Sequence, residues 1–137
     1  MFTDKNFFSS NIRKLAKEYD LSLVVLFGSQ ASGRTHSRSD FDLAILPEKD
    51  LSAEDEWKIA ETVSVFSGFR NIDIVNLKNA SPSLLKNIID GGKILYEKTP
   101  GLFSIERMRA FKLFIEARPL RLLRDRRIFD FLEARKV

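Results

Sequence analysis

The stretch Leu26-Phe27-Gly28-Ser29-Gln30-Ala31-Ser32-Gly33-Arg34-Thr35-His36-Ser37-Arg38-Ser39-Asp40-Phe41-Asp42-Leu43 decides how this chain folds. An apolar run ends in Gly28-Ser29, a polar loop with a second glycine follows, and Asp40 and Asp42 open the next apolar run. Residues at positions i and i+2 of a strand project from the same face, so the two carboxylates are predicted to converge. The pattern therefore predicts a hairpin-like unit with polar chemistry at the ends of its two buried strands.

Apolar periodicity predicts three helices and four strands before residue 100. In chain order they are a helix at 4–19, strands at 21–27 and 40–46, a helix at 53–66, a strand at 71–77, a helix from 82 to the Gly91-Gly92 pair and a strand at 93–97. Ser52 is predicted to cap the second helix, with Asp55 at its third position and Trp57 on its apolar face. Such a mixture favours an α/β (α+β) fold, a small mixed β-sheet of about four strands flanked by helices.

A boundary is predicted at Pro100-Gly101, which divides the 137 residues into a domain at 1–100 and a C-terminal helical extension at 101–137. The domain has a net charge of −1, whereas the extension has ten basic and five acidic residues among many apolar ones. Its helical pattern runs from 104 to 135, with an interruption at Pro119. Two interpretations stay open: the extension packs on the core, or it docks on an acidic partner. A nucleic-acid-binding arm is disfavoured by the interspersed acidic residues.

The composition excludes several kinds of site. The chain has no cysteine and one histidine, His36, which rules out disulfides, thiolate metal sites and paired-histidine metal sites. Any metal must then be held by oxygen ligands, which favours Mg²⁺ or a similar hard cation. We find no secretory signal and no run that would span a membrane, so no membrane partner and a cytoplasmic location are expected.

The acidic pair has a third candidate partner in Asp73, the single acidic residue of an otherwise apolar strand. If that strand pairs beside the one that holds Asp40 and Asp42, all three carboxylates come together. Adjacent carboxylates repel one another, and a divalent cation removes the repulsion. Three carboxylates can hold two metal ions, which clamp the attacking and leaving oxygens of a phosphoryl or nucleotidyl transfer.

The loop supplies groups suited to a phosphate. A glycine at a strand end, here Gly28, lets backbone N–H groups approach a phosphate closely, and the hydroxyl of Ser29 can donate to it. Gly33 permits the loop to turn, and Arg34 and Arg38 can neutralise a triphosphate. The spacing nearly matches a P-loop, but the lysine is missing and no helix has room to begin at Gly33. A P-loop is therefore rejected.

Gly28-Ser29, ten residues, then Asp40-Phe41-Asp42 resembles the G-S-x10-D-x-D signature of nucleotidyltransferases related to DNA polymerase β. The small size, the strand Asn71-Ile72-Asp73-Ile74-Val75 and the helix-then-strand ending at 81–97 resemble the minimal nucleotidyltransferase (MNT) group. The resemblance covers roughly residues 10–100. One departure lies in the loop, where the family often has Ala-Arg-Gly and this chain has Ala31-Ser32-Gly33. Arg34 or Arg38 is expected to compensate for the missing arginine.

The resemblance implies that Asp40, Asp42 and Asp73 bind Mg²⁺ and that Gly28 and Ser29 hold the triphosphate of ATP. It further implies an antitoxin of the HEPN/MNT type, which transfers AMP to a tyrosine hydroxyl of a cognate HEPN RNase toxin and forms an oligomer with it. Two alternatives stay open: an antitoxin that acts by stoichiometric binding, and a nucleotidyltransferase that acts on a small-molecule hydroxyl.

Overall fold

A computed structural model describes residues 5–28 and 41–135 of the chain. The described residues form four strands and five helices. They are α1 (Lys5–Glu18), β1 (Leu21–Phe27), β2 (Phe41–Pro47), α2 (Ala53–Ser67), β3 (Ile72–Asn76), α3 (Pro82–Gly91), β4 (Lys93–Glu97), α4 (Leu102–Glu116) and α5 (Arg118–Ala134). The strands make one sheet in the order β3-β2-β1-β4, in which β2 and β3 are parallel and the other pairs antiparallel. The predicted mixed four-stranded α+β fold is confirmed.

Helices cover both faces of the sheet, and each face has its own core. On one face, α1 and α2 pack on the side chains of Leu26, Phe41, Leu43 and their neighbours. On the other face, α3 and α4 pack on Leu23, Val25 and Ala44. This arrangement follows from the strand period of two, because apolar residues on β1 and β2 alternate between the faces and both sets are buried.

The ends of α2 match the prediction closely. Ser52 accepts a hydrogen bond from the Asp55 N–H at 3.1 Å, and the Asp55 carboxylate accepts one from the Ser52 N–H at 3.1 Å. Gly68 ends the helix in the left-handed conformation, with φ of 82°. Trp57 was predicted on the apolar face, and this is wrong, since its side chain is 65% exposed. Its neighbours Ile59 and Val63 fill the core instead.

The strand that follows the loop ends one residue later than predicted. It includes Pro47, which lies opposite Leu21 where the ladder with β1 ends. A proline is tolerated there because no N–H is needed for a ladder hydrogen bond at the end of a strand. Asp40, predicted as the first residue of this strand, lies outside the described residues.

The two helices of the extension differ in how they pack. Phe103 and Ala110 of α4 belong to the core on the α3 face. The interpretation that the extension packs on the core is therefore correct for this helix. None of the seventeen described residues of α5 is buried, so the packing interpretation is wrong there. The break between them lies at Ala117, and Pro119 occupies the first turn of α5, where its missing N–H costs nothing. Among the described helices, none has the length and apolar character that crossing a membrane requires.

Candidate active site

Asp42 and Asp73 are register partners across the parallel pair β2–β3. Each alternates along its strand with residues that face the core beneath α1 and α2. Phe41 and Leu43, on either side of Asp42, are fully buried there. The two carboxylates therefore share the face that α3 and α4 cover further along the strands. Asp42 is half-buried and Asp73 is exposed, so the pair is open to a ligand from solvent. This confirms the predicted pairing of the two strands.

Gly28 follows β1 directly and lies against the carboxylate of Asp42. Phe27 is the register partner of Asp42, and Gly28 has φ of 77°, a conformation that favours glycine. A Cβ added at Gly28 would overlap Asp42 Oδ2 and stand 3.1 Å from Asp42 Cγ. Glycine is thus required here twice, once by the backbone and once by the space that the carboxylate occupies. The backbone that was predicted to approach a phosphate lies beside a predicted metal ligand.

Aromatic packing supports this end of the sheet from beneath. The Phe41 ring is fully buried, with its centroid 6.0 Å from that of Phe8 and 4.9 Å from that of Phe69. The Phe41 N–H donates to the Asn71 carbonyl oxygen at 2.9 Å, which ties the start of β2 to the approach of β3. These contacts hold the residue immediately before Asp42 on the opposite face, so the carboxylate is supported by a rigid strand.

Gly92 is a supporting residue that sequence reasoning treated only as a helix stop. A Cβ added at Gly92 would meet the Ile88 carbonyl oxygen and Val25 Cγ1, each at 2.5 Å. The turn between α3 and β4 therefore closes tightly on β1, two residues before Phe27. The doubled glycine at 91–92 was the available signal, because the second glycine is not needed to end a helix.

Five predicted site residues lie outside the described residues, namely Ser29, Gly33, Arg34, Arg38 and Asp40. Within 5–28 and 41–135, no three acidic or histidine side chains cluster as a metal site would require. Asp42 and Asp73 still fit a hard cation, because they supply two oxygen ligands from adjacent strands. Asp40 would join them at position i−2 of Asp42 if β2 continued by one residue.

The fold and this site define a class of protein. Residues 10–100 match the polymerase beta, nucleotidyltransferase family, and the chain belongs to that family. The match spans the whole sheet, with Gly28, Asp42 and Asp73 inside it.

Particular relatives narrow the comparison. The chain is 29% identical to the protein adenylyltransferase MntA of Shewanella oneidensis over 94 residues, which cover 67% of each chain. It superposes on a chain in the crystal structure of a toxin–antitoxin complex with AMP-PNP with a TM-score of 0.75 at 26% identity, covering 90% of this chain and 98% of that one. A third match, at 23% identity and a TM-score of 0.71, supports the fold: it lies in a complex of tri-AMPylated Shewanella oneidensis HEPN toxin with MNT antitoxin and covers 94% of this chain and 99% of that one.

Proposed function

We propose that this protein is an antitoxin that transfers AMP from ATP to a tyrosine hydroxyl of a cognate HEPN toxin and thereby inactivates it. The similarity to a protein adenylyltransferase and to a toxin–antitoxin complex holding AMP-PNP supports this proposal. The observation that carries it is the placement of Asp42 opposite Asp73, with the Gly28 backbone against the Asp42 carboxylate. A transfer site needs metal ligands and a phosphate-binding backbone side by side, and these residues provide both.

In this proposal Asp40, Asp42 and Asp73 hold Mg²⁺, with two ions expected. Bound Mg²⁺ supplies charge neutralisation at the oxygens of the triphosphate. Gly28 and Ser29 bind the phosphates through the backbone and the hydroxyl, Gly33 turns the loop, and Arg34 and Arg38 offset the remaining negative charge.

The reaction is a displacement at the α-phosphorus of ATP. The acceptor hydroxyl oxygen forms a bond to that phosphorus, the bond to the bridging oxygen breaks, and pyrophosphate leaves with the bonding electrons. The acceptor loses its proton as the new bond forms, and in this proposal Asp73, which is exposed, assists the removal of that proton. The chain acts mainly by orientation and by electrostatic stabilisation. The requirement for ATP and for a toxin substrate suits a cytoplasmic location.

The domain division keeps its predicted boundary in this proposal. Residues 1–100 form the nucleotidyltransferase domain and 101–137 the extension, of which α4 adds Phe103 and Ala110 to the core. The small-molecule alternative has no observation in its favour, because the AMP-PNP-containing structure that this chain resembles is a toxin–antitoxin complex.

The test is the transfer of AMP to the separately purified cognate toxin, detected as a mass increase of that toxin. Asp42→Asn is expected to lower the rate by about a hundredfold or more, since it removes one charged ligand of the site. Glu48→Gln is the matched control, because it makes the same carboxylate-to-amide change just beyond the other end of β2 and should keep full activity.

Two results would overturn the proposal. One is a wild-type protein that adds no AMP to its toxin in the presence of ATP and Mg²⁺. The other is an Asp42→Asn variant that still neutralises the toxin in cells as well as the wild type, which would favour neutralisation by stoichiometric binding.

A further inference from the structure

Helix α5 presents large apolar side chains to solvent along its whole length. Seven of them are about half or more exposed, and together with the absence of any buried residue among 118–134 they leave the helix without a core contact of its own. They are Leu120, Leu122, Leu123, Ile128, Phe129, Phe131 and Leu132. Single exposed apolar residues are ordinary on a protein surface, but a continuous set of this kind marks an interaction site.

These side chains surround the helix. At 3.6 residues per turn, Ile128 and Phe129 are rotated by roughly 80° and 180° from Leu120 about the helix axis. Eight charged residues are interspersed among them, so α5 has no single apolar face that could pack on the sheet. An isolated helix of this length is also only marginally stable in water, so α5 needs a partner that encloses it.

The junction between α4 and α5 holds α5 in a defined direction. The Arg121 guanidinium lies 3.6 Å from the centroid of the Phe114 ring and donates to the Phe114 carbonyl oxygen at 2.6 Å. Lys86 of α3 also approaches this ring, at 5.1 Å from its centroid. These contacts connect α5 through Phe114 to a helix of the catalytic domain, so the helix projects as an oriented arm.

A cavity on α4 extends the apolar surface of the arm. It has a volume of about 310 Å³, and its lining includes Met108 and Phe111, which are 72% and 60% exposed, and the ion-paired Lys86 and Asp90. The apolar residues of α4 and α5 follow one another along the chain, with Ile115 half exposed between them. Lys86, which lines this cavity, also approaches the Phe114 ring that Arg121 of α5 contacts, so the cavity lies near the start of α5 and could take one further side chain of the partner.

Charge identifies the kind of partner. Residues 101–137 carry ten basic and five acidic residues, and α5 itself has five arginines against three acidic residues. A second copy of this chain would bring two basic arms together, and like charges across an interface are unfavourable. An acidic protein surface complements the arm, and arginine together with aromatic side chains is the composition typical of interface hot spots.

From these observations we infer that α5, together with the α4 cavity, is the surface by which this protein binds the toxin of the proposed function, and that the toxin encloses the helix in an apolar groove with an acidic rim. This inference rests on the proposed function for the identity of the partner. It assigns recognition to the extension and leaves chemistry to the sheet.

The test measures the affinity of full-length variants for the separately purified cognate toxin, by biolayer interferometry without ATP. Phe131→Ala, and Phe129→Ala independently, are expected to weaken binding by tenfold or more, the effect typical of an aromatic hot spot. Phe7→Ala is the matched control, because Phe7 and Phe131 are equally exposed at 55% and Phe7 lies on α1. Since both side chains are exposed, neither variant should lose its fold, and the circular dichroism of each checks this.

A charge variant tests the acidic rim. Arg124→Glu/Arg127→Glu is expected to slow association with the toxin and to reduce its dependence on salt, whereas Arg13→Glu/Lys14→Glu on α1 should do neither. Unchanged toxin affinity in both aromatic variants of α5 would overturn the inference. So would an α5 that dimerises the isolated chain by light scattering, or binds anionic lipid vesicles or RNA, while toxin binding does not depend on it.

The two proposals fail separately. If the wild type transfers AMP and the α5 variants bind the toxin normally, only the inference about α5 is wrong. If toxin binding depends on α5 but no AMP is transferred, only the proposed reaction is wrong.

Discussion

The end of the sheet that carries Asp42 and the helix α5 lie in one chain, but they are supported in opposite ways. Beneath Asp42, the Phe41 ring is enclosed by Phe8 and Phe69, and Gly28 leaves just enough space for the carboxylate. Along α5, whose residues 118–134 are all described, no side chain is buried and the residues that would form a core face solvent. The strand that carries Asp42 is packed by residues of its own chain, whereas the apolar side chains of α5 can be buried only by a partner.

Catalysis and recognition place opposite demands on the parts of a protein that carry them. A transfer site needs carboxylates held within a fraction of an ångström, which a packed sheet provides. A recognition helix needs apolar surface that is still available, which packing within the chain would remove. Substitutions in the two regions should therefore differ in their effects, most of all where a core side chain is removed.

The same substitution in the two regions should have very different costs. Ile88→Ala removes a side chain that is 1% exposed in the α3 core and is expected to lower the free energy of unfolding by about 2–5 kcal/mol. Ile128→Ala on α5, where the side chain is 52% exposed, should change it by less than about 0.5 kcal/mol. Urea unfolding of the isolated protein measures both. An equal loss in the two variants would show that α5 is packed within the chain.

Alanine substitutions at Gly28 and Gly68 distinguish the cost of backbone strain from the cost of a clash with Asp42. Gly28 and Gly68 have φ of 77° and 82°, so an alanine at either position costs about 1–2 kcal/mol in strain. Among the described residues, no atom lies within 4 Å of a Cβ added at Gly68, whereas one added at Gly28 would overlap Asp42. Gly28→Ala should therefore lose more stability than Gly68→Ala and, unlike it, most of the AMP transfer. Urea unfolding compares the stability of the two variants, and the toxin mass assay compares their AMP transfer. Equal transfer by both variants would show that the Gly28–Asp42 contact does not matter for activity.

Helix capping also differs between the regions. Ser52 caps α2 reciprocally with Asp55, whereas the N-cap residue of α5, Ala117, makes no side-chain hydrogen bond to the helix. Ser52→Ala is expected to lower the free energy of unfolding by about 1 kcal/mol. Ser104→Ala, at an exposed helical serine of α4, should be neutral or slightly stabilising because alanine is the better helix former. Thermal unfolding distinguishes them, and an equal effect would mean that the cap contributes nothing.

The smallest effect concerns the surface pair Glu48–Lys98. The hydrogen bond from Lys98 lowers the pKa of Glu48, and the same bond raises the pKa of Lys98. A lowered carboxyl pKa adds stability that is present above the unfolded-state value and is lost as pH falls through the folded-state value. The raised lysine pKa adds stability that is lost only as pH rises through its own folded-state value. The pair therefore contributes across neutral pH, and only weakly, because both groups are exposed.

Lys98→Met should raise the pKa of Glu48 toward its ordinary value and flatten the fall in stability on acidification. Lys112→Met, which removes a lysine paired with Glu116 on α4, should leave the Glu48 titration unchanged. Titration of the Glu48 carboxyl by NMR measures both effects. An unchanged Glu48 pKa in Lys98→Met would show that the hydrogen bond from Lys98 does not cause the lowered value.

Much of the fold was predictable because local signals agree with it. β1 and β4 have the predicted bounds, since each is an apolar run ended by a glycine or by charged residues. The capping box of α2 was predicted and is confirmed. Asp73 was expected beside Asp42 only if its strand paired with β2, and the structure shows that pairing. The functional roles of all the predicted site residues stay predictions, both for Gly28, Asp42 and Asp73 within the described residues and for Ser29, Gly33, Arg34, Arg38 and Asp40 outside them. Membership of the nucleotidyltransferase family was predicted from the signature that contains them and is confirmed.

Other features depend on what approaches from elsewhere in the chain. The exposure of Trp57 could not be read from its periodicity, because Ile59 and Val63 already fill the space under α2. The role of Gly92 depends on how closely α3 approaches β1, a distance that no local pattern encodes.

The strands, the helices and the residue types of the site follow from the sequence alone, because side-chain periodicity and the demands of glycine and carboxylate chemistry act over a few neighbouring residues. The packing of distant segments is what brings Asp42 opposite Asp73 and against Gly28, and what buries part of α4 but none of α5. Five of the fifteen residues of α4 and eight of the seventeen of α5 are charged, so α4 is the more apolar helix and the one that enters the core on the α3 face. Once α3 and α4 cover that face, α5 is left to a partner.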